Sequence, residues 1–298
     1  MYYNDLNNHL RSRYGCKVYK ISLSTGGTCP NRDGTCGTDG CIFCDGAGFF
    51  AAKAQSVAEQ LKEAKARVAA KAPAGSRYIA YFQDFTATYA PLPELRERFT
   101  QAIQDPEVVG LSVATRPDCL PEEVMVLLQE LNETKPVWVE LGLQTIHAQT
   151  ARFIRRGYDL PVFDEAVKKL KAAGLEVIAH LILGLPGETE AMMLQSVDYV
   201  GKSGVNGIKL HLLHVLEGTD LAVYYRKNPF PLPSMEEYIA LLARCVARLP
   251  REVVIHRLTG DGAKKTLIAP LWTADKKRVL NAIRSAFVSH DVQQGSER

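Results

Sequence analysis

Short apolar runs alternate along the chain with longer amphipathic stretches, and the alternation repeats. Residues 17–25 (KVYKISLST) alternate in polarity and are partly β-branched and aromatic, which predicts a first strand. Residues 54–71 follow, rich in helix formers, with Val57, Leu61, Ala64 and Val68 on one face, and Pro73 and Gly75 end that helix. The same order then recurs. Strands are predicted at 77–83 (RYIAYFQ), 108–114 (VVGLSVA), 136–143 (PVWVELGL), 175–183 (LEVIAHLIL) and 205–215 (VNGIKLHLLHV). Helices are predicted at 92–104, 121–131, 147–154, 161–173, 188–201 and 234–249. One more short strand is expected over 252–257 and a last helix over 275–289, with a frayed end beyond. Residues 1–16 are polar, with Arg11 and Arg13, and read as a solvated extension holding a short helix.

Six βα units with near-continuous apolar strands imply a parallel sheet covered by helices. No GxGxxG follows the first strand, which counts against a dinucleotide-binding fold. Six units fall short of the eight of a closed barrel. The fold class expected is therefore α/β, a partial (β/α)6 TIM-like barrel with short N- and C-terminal extensions. The expected division is 1–16 as an N-terminal extension, 17–250 as the barrel, and 251–298 as a C-terminal extension closing it.

Composition alters this picture in one respect. With 298 residues, 46% hydrophobic and 23% charged, the chain can bury one large core. No apolar run approaches the ~18 residues of a membrane span, and the first residues carry no export signal, so no membrane partner is expected. The net charge of +3 permits a nucleic-acid partner without requiring one. The cysteines are what stand out. Of seven, four fall within residues 28–45 (TCPNRDGTCGTDGCIFCD), among Gly34, Gly37, Gly40, Pro30, Asn31 and Asp33. No helix or strand suits that composition, and metal–sulfur bonds are what could order it. Without an export signal, the crowding points to metal or redox use in a reducing cytoplasm. From the loop alone, a zinc site of Cys29, Cys36, Cys41 and Cys44 and a thiolate-held iron–sulfur centre are both open.

Parallel α/β folds gather function at the C-terminal ends of their strands. The first strand here ends in the cysteine loop, the second at Gln83 and Asp84, and the third at Thr115 and Arg116. The fourth ends at Gln144; the fifth carries His180 and ends in Gly184-Leu185-Pro186-Gly187-Glu188; the sixth carries Lys209, His211 and His214. Turns explain glycine and proline at such ends, but not Gln, Arg, His and Asp at nearly every one.

Taken together, a cysteine triad after the first strand, GLQT after the fourth and GLPGE after the fifth resemble the radical S-adenosylmethionine (SAM) superfamily, over about residues 16–290. VYKISLSTGGTCPNRDG, the GC-x-FC pair, YFQ-x-x-T-x-TYAP, TRPD, E-x-GLQT, RRGYD and H-x-I-x-GLPGE are similar to a group of compact bacterial members. These are related to the catalytic subunit of Elongator, which acts on the wobble uridine of tRNA.

The resemblance implies a [4Fe–4S] cluster held by Cys29, Cys41 and Cys44, with Cys36 surplus and one iron open for SAM. Reductive cleavage of SAM would then yield a 5′-deoxyadenosyl radical. It further implies that Gln144 and His180 contact the SAM ribose and that Arg156 pairs with the SAM carboxylate. Gln83 and Asp84 match the region that binds the SAM amino group, although the family's glycine pair is absent there. Thr115 and Arg116 belong to the TRPD motif, and Gly184, Pro186 and Gly187 let the backbone pass close to the adenine. His211, His214 and Arg257, with Glu217, Asp261 and Trp272, remain as substrate-pocket candidates. The implied partners are tRNA or a small-molecule substrate, and a reductant such as flavodoxin or ferredoxin. The implied reaction is remodelling of a wobble-uridine side chain, for example carboxymethylaminomethyl to aminomethyl. Lys264, Lys265, Lys276, Lys277 and Arg278 read either as a solvated charged run or as a tRNA phosphate footprint.

Overall fold

The computed structural model describes residues 2–46, 56–260, 262 and 264–297. The elements run α1 (Leu6–Tyr14), β1 (Val18–Leu23), α2 (Val57–Ala69), β2 (Arg77–Phe82), α3 (Leu92–Gln104), β3 (Val108–Thr115), α4 (Glu122–Thr134) and β4 (Val137–Gln144). Next come α5 (Ala148–Phe153), α6 (Leu160–Ala172), β5 (Glu176–Leu183), α7 (Glu190–Lys202), β6 (Gly207–Leu212) and β7 (Val215–Leu216). The chain closes with α8 (Asp220–Lys227), α9 (Met235–Arg248), β8 (Val254–Arg257), β9 (Leu267–Ala269), a 3-10 turn (Leu271–Ala274) and α10 (Lys276–Ser289).

Seven strands form one sheet in the order β1-β2-β3-β4-β5-β6-β8, every neighbouring pair parallel. Among the described residues β1 and β8 do not pair with each other, so the barrel is partial, as the count of βα units implies. The short segment expected over 252–257 is the seventh strand. The long sixth strand breaks after Leu212: β7 leaves the sheet and pairs antiparallel with β9. Neither β9 nor α8 is predicted by periodicity; both are short, and α8 buries only Leu221 and Ala222.

Period-two alternation divides each strand's side chains between two faces. Leu23, Phe82, Val113, Leu141, Leu181 and Leu210 point outward into the helix-covered core. Lys20, Tyr81, Ser112, Glu140, His180 and Lys209 occupy the alternate positions, facing the barrel interior. The far end of the interior is sealed by Val18, Ile79, Trp138 and Ile178 packed on Leu10 of α1.

That packing corrects the expectation of a solvated N-terminal extension. Leu10 is 3% exposed, Arg13 pairs with Glu176 at 2.5 Å, and the Ile255 N–H donates to the Asn4 carbonyl at 2.8 Å. Residues 4–5 thereby cover the open edge of β8, which would otherwise present unpaired backbone groups. Among the described residues no helix is long and apolar enough to cross a membrane.

Candidate active site

The cysteine loop leaves β1 and is shaped mainly by its own backbone. Gly40 N–H donates to Asn31 O at 2.7 Å, Cys36 N–H to Pro30 O at 2.7 Å, and Cys44 N–H to Cys41 O at 2.9 Å. Two side chains fasten the loop to the barrel. Buried Asn31 donates from Nδ2 to the Arg155 carbonyl at 2.7 Å and lies 3.5 Å from Cys41 Sγ. Ile42, in the CIFC turn, enters an apolar cluster with Ile154, Ile182, Leu185, Leu213 and Leu221. Its backbone bonds both ways: Ile42 N–H to Ile154 O at 3.3 Å, and Leu221 N–H to Ile42 O at 2.8 Å. Gly157, at φ 84°, permits this docking, because a Cβ there would stand 2.5 Å from Asn31 Oδ1.

Cys29, Cys41 and Cys44 line one cavity of about 310 Å³ at the C-terminal mouth of the barrel. Cys36 is exposed and faces a separate outer groove of about 950 Å³ along α4 and α6. The larger groove holds no comparable gathering of polar groups; the smaller one is where the strand ends converge. Burial pushes the Cys41 thiol up to about 11, against the opposing N–H of Asn31 and with Cys44 and Cys29 adding to the rise. Deprotonation of that sulfur therefore needs a compensating cation. The donor set fits an iron–sulfur cluster: three thiols on one cavity wall, beside a guanidinium from Arg32 that donates to Cys44 O at 2.9 Å. Among the described residues no three His, Cys, Asp or Glu side chains converge on a single metal-ion position. In a cluster each cysteine takes a different iron, so its sulfurs need not converge.

Of the other residues expected at the site, Gln83, Thr115, Arg116, Gln144, Arg156, His180, His211 and Arg257 line the same cavity. Asp84, Gly184, Pro186, Gly187 and His214 do not line it. The GLPGE turn instead braces its neighbour, with Glu188 accepting from Thr145 Oγ1 at 2.5 Å. His214 lies against Gly260 and Gly262, and a Cβ on Gly260 would stand 2.6 Å from its ring. Glu217 pairs with Arg226 at the surface, and Trp272 donates to Pro233 O at 3.0 Å, so neither joins the cavity. Asp261 lies outside the described residues.

Both arginines have their forks engaged. Arg116 grips Asp118 through Nε and one terminal nitrogen, at 2.9 and 2.6 Å, and donates to Arg156 O at 2.7 Å. Arg156 donates to the carbonyls of Leu143, Thr145 and Tyr158 at 2.6–3.1 Å. In this structure Arg156 therefore holds the end of β4 and does not present a fork toward the cavity. Tyr158 joins that brace through Gly142 O. Its object is Gln144, held at φ 68°, in the left-handed region that disfavours side chains. The amide of Gln144 lies 2.9 Å from where a Cβ on Gly142 would be, which is why the motif reads Gly-Leu-Gln. Phe85 and Arg155, also at positive φ, sit on the same rim. Such strain gathers where surrounding structure over-determines a functional conformation.

Deeper in the barrel lies a cluster around Glu140, a residue to which the sequence reading assigns no role. Glu140, fully buried, accepts from Ser112 Oγ at 2.8 Å, from His180 Nε2 at 2.7 Å, and from Lys20 and Lys209. Lys209 also donates to the Tyr81 hydroxyl at 3.1 Å, and both ammonium groups lie against the Tyr81 ring, at 4.0 and 4.5 Å. Burial drives His180 and His211 well below the ordinary histidine value, so both rings are neutral near pH 7. The sequence signal was present: Lys20, Glu140 and Lys209 are charges at strand-centre positions where a purely apolar interior would have none.

The Radical SAM superfamily pattern matches residues 15–200, and the Radical_SAM C-terminal domain matches 205–288. The chain is 43% identical to the uncharacterized protein YtqA of Bacillus subtilis, across 98% of this chain and 92% of that one. A tRNA uridine(34) acetyltransferase of Methanocaldococcus jannaschii is 29% identical over 156 residues, covering 51% of this chain but only 28% of that protein. Among solved structures, Elp3 of Methanocaldococcus infernus superposes with a TM-score of 0.71 at 16% identity, over 93% of this chain and 64% of that one, a likeness of fold. With the superfamily pattern spanning most of the barrel, the chain belongs to the radical SAM superfamily and is an enzyme of that kind.

Proposed function

We propose that the protein remodels the C5 side chain of a tRNA wobble uridine, trimming carboxymethylaminomethyl to aminomethyl, with Cys29, Cys41 and Cys44 as ligands of a [4Fe–4S] cluster. The observation that carries the cluster assignment is the separation of the four loop cysteines: three share the cavity mouth and Cys36 faces the outer groove. That separation disfavours a four-cysteine zinc site, which would need Cys36 among the ligands. Held by these three cysteines, a cluster would supply one-electron reduction of SAM and so a 5′-deoxyadenosyl radical for hydrogen abstraction. The chain's residues bind and orient. Gln83, Gln144 and His180 offer polar contacts from three strands, and the Arg156–Tyr158 brace keeps Gln144 in its strained turn. Leu10 and Trp138 close the barrel's far end, so the cavity opens at one side. An external one-electron donor, a flavodoxin or ferredoxin, fits this chemistry.

The tRNA reading is supported by the sequence kinship over half the chain with a protein named for uridine 34 of tRNA. Lys264, Lys265, Lys276, Lys277 and Arg278, all exposed, supply charge for a phosphate backbone. Anaerobic reconstitution with iron and sulfide, followed by dithionite and SAM, should release 5′-deoxyadenosine. Cys36→Ser should keep the cluster absorbance, and Cys29→Ala, Cys41→Ala or Cys44→Ala should lose it. Stoichiometric zinc without cluster absorbance would refute the cluster. Nucleoside mass spectrometry of cells lacking the gene should show carboxymethylaminomethyl-uridine accumulating, and an unchanged nucleoside profile would refute the tRNA substrate.

A further inference from the structure

The interior cluster is unbalanced. Glu140 has four donors on its two oxygens, Lys20 and Ser112 on Oε1 and Lys209 and His180 on Oε2, so its acceptor capacity is filled. Two ammonium groups thus face a single carboxylate, and among the described residues no other carboxylate contacts either lysine. Each ammonium carries three N–H donors. Lys20 donates to Glu140, and Lys209 to Glu140 and the Tyr81 hydroxyl, with the two amines also in contact with each other. The Lys209 side chain is only 5% exposed, where an uncompensated charge is costly. Burial first, then the neighbouring Lys209 and Arg257, depress the Lys20 ammonium well below its usual range, as expected where positive charge is in excess. A further observation points the same way. His211 lines the cavity beside Lys209, and its buried Nε2 has no hydrogen-bond partner. With Arg257 lining the same cavity, cationic side chains outnumber carboxylates around this floor, a setting that suits an anion.

We propose that the barrel floor formed by Lys20 and Lys209 around Glu140, with His211 one layer above it, is a subsite for the carboxylate of the substrate. The inference rests on the proposed function and deepens it, since the substrate group named there, carboxymethylaminomethyl, ends in a carboxylate. Geometry assigns depth as well. Lys20, Tyr81, Glu140, His180 and Lys209 lie two residues below Ser22, Gln83, Gly142, Ile182 and His211 along their strands. At the rise of a strand this is about 7 Å beneath the cysteine-lined mouth. A side chain anchored by its carboxylate at the floor would extend its methylene and amine back toward that mouth.

The test uses reconstituted holoenzyme, kept anaerobic and saturated with SAM. Affinities are compared for two anticodon stem-loops, one with carboxymethylaminomethyl-uridine at the wobble position and one with the neutral carboxamide. The acid should bind at least about tenfold more tightly, the scale of a charge-assisted pair. Lys209→Met and, independently, Lys20→Met should each abolish that preference. Equal affinity of wild-type enzyme for acid and amide overturns the subsite. So does a preference seen only when SAM is left out, since the floor would then serve the carboxylate of SAM. If neither stem-loop binds while 5′-deoxyadenosine is still released, the tRNA reading fails on its own. The subsite is then judged with N-methylglycine and N-benzylglycine against their amides: a preference for the acids that Lys209→Met removes sustains it, and its absence overturns it.

Discussion

Gly157 shows how one missing side chain decides the site. Its φ of 84° lies in the left-handed region, and its bare Cα lets Asn31 reach the Arg155 carbonyl while touching Cys41. A methyl group there would meet Asn31 Oδ1 at 2.5 Å, and Arg116 at 3.1 Å. Gly157→Ala should therefore strain the backbone by about 1–3 kcal/mol and displace Asn31 from the cysteine loop. Iron content after reconstitution should fall while the far-ultraviolet circular dichroism stays native. Full iron loading in that variant would show that Asn31 does not position Cys41. Gly142 follows the same logic toward Gln144, so the glycines of RRGYD and GLQT both make room for a neighbouring amide.

Among elements, the CIFC turn gains its order from outside itself. Ile42 is 6% exposed and reaches a cluster built by the ends of β5 and β6, by α5 and by α8. The turn has no regular hydrogen bonding to propagate, so this apolar anchor and the backbone bonds to Ile154 and Leu221 replace it. Ile42→Ala should destabilise the folded chain by about 2–5 kcal/mol. The loss should be seen in urea unfolding, with residues 28–46 becoming protease-sensitive first. An unchanged urea midpoint would mean that the backbone bonds suffice. At the opposite end, α1 behaves as a plug: Leu10 completes the layer of Val18, Ile79, Trp138 and Ile178.

For the whole molecule, the buried imidazoles set a pH limit. His180, His211 and His256 are all held well below the ordinary histidine value, by burial first and then by neighbouring basic groups: Lys209 for His180, His180 for His211 and Lys20 for His256. Unfolding releases each to about 6.5. Below that pH the unfolded chain binds protons that the folded one refuses, so stability falls as the medium is acidified and is fully present above it. Each group contributes a slope of about 1.4 kcal/mol per pH unit below 6.5. His256 packs on Trp138 away from the cavity, so His256→Gln tests this without touching the site. Urea titrations of the cluster-free protein between pH 5 and 6.5 should show a shallower slope in that variant, by the contribution of one histidine. An identical slope would mean that His256 titrates alike in both states.

By itself the sequence determined the βα repeat, the partial barrel and the cysteine loop, because these rest on local periodicity and on spacing that the chain carries within short windows. It also brought eleven of the expected site residues to one cavity, since the ends of parallel strands must meet at one rim. Tertiary structure decided what depends on contacts across the chain. Arg156 turns to the backbone of β4, and Cys36 turns away from its three neighbours. Helix α1 becomes a plug, and GLPGE a brace. Lys20, Glu140 and Lys209, from strands 120 and 69 residues apart, become one charged cluster. Alternation can say that these three face inward. Only the curling of the sheet says that they face one another, two amines on one carboxylate.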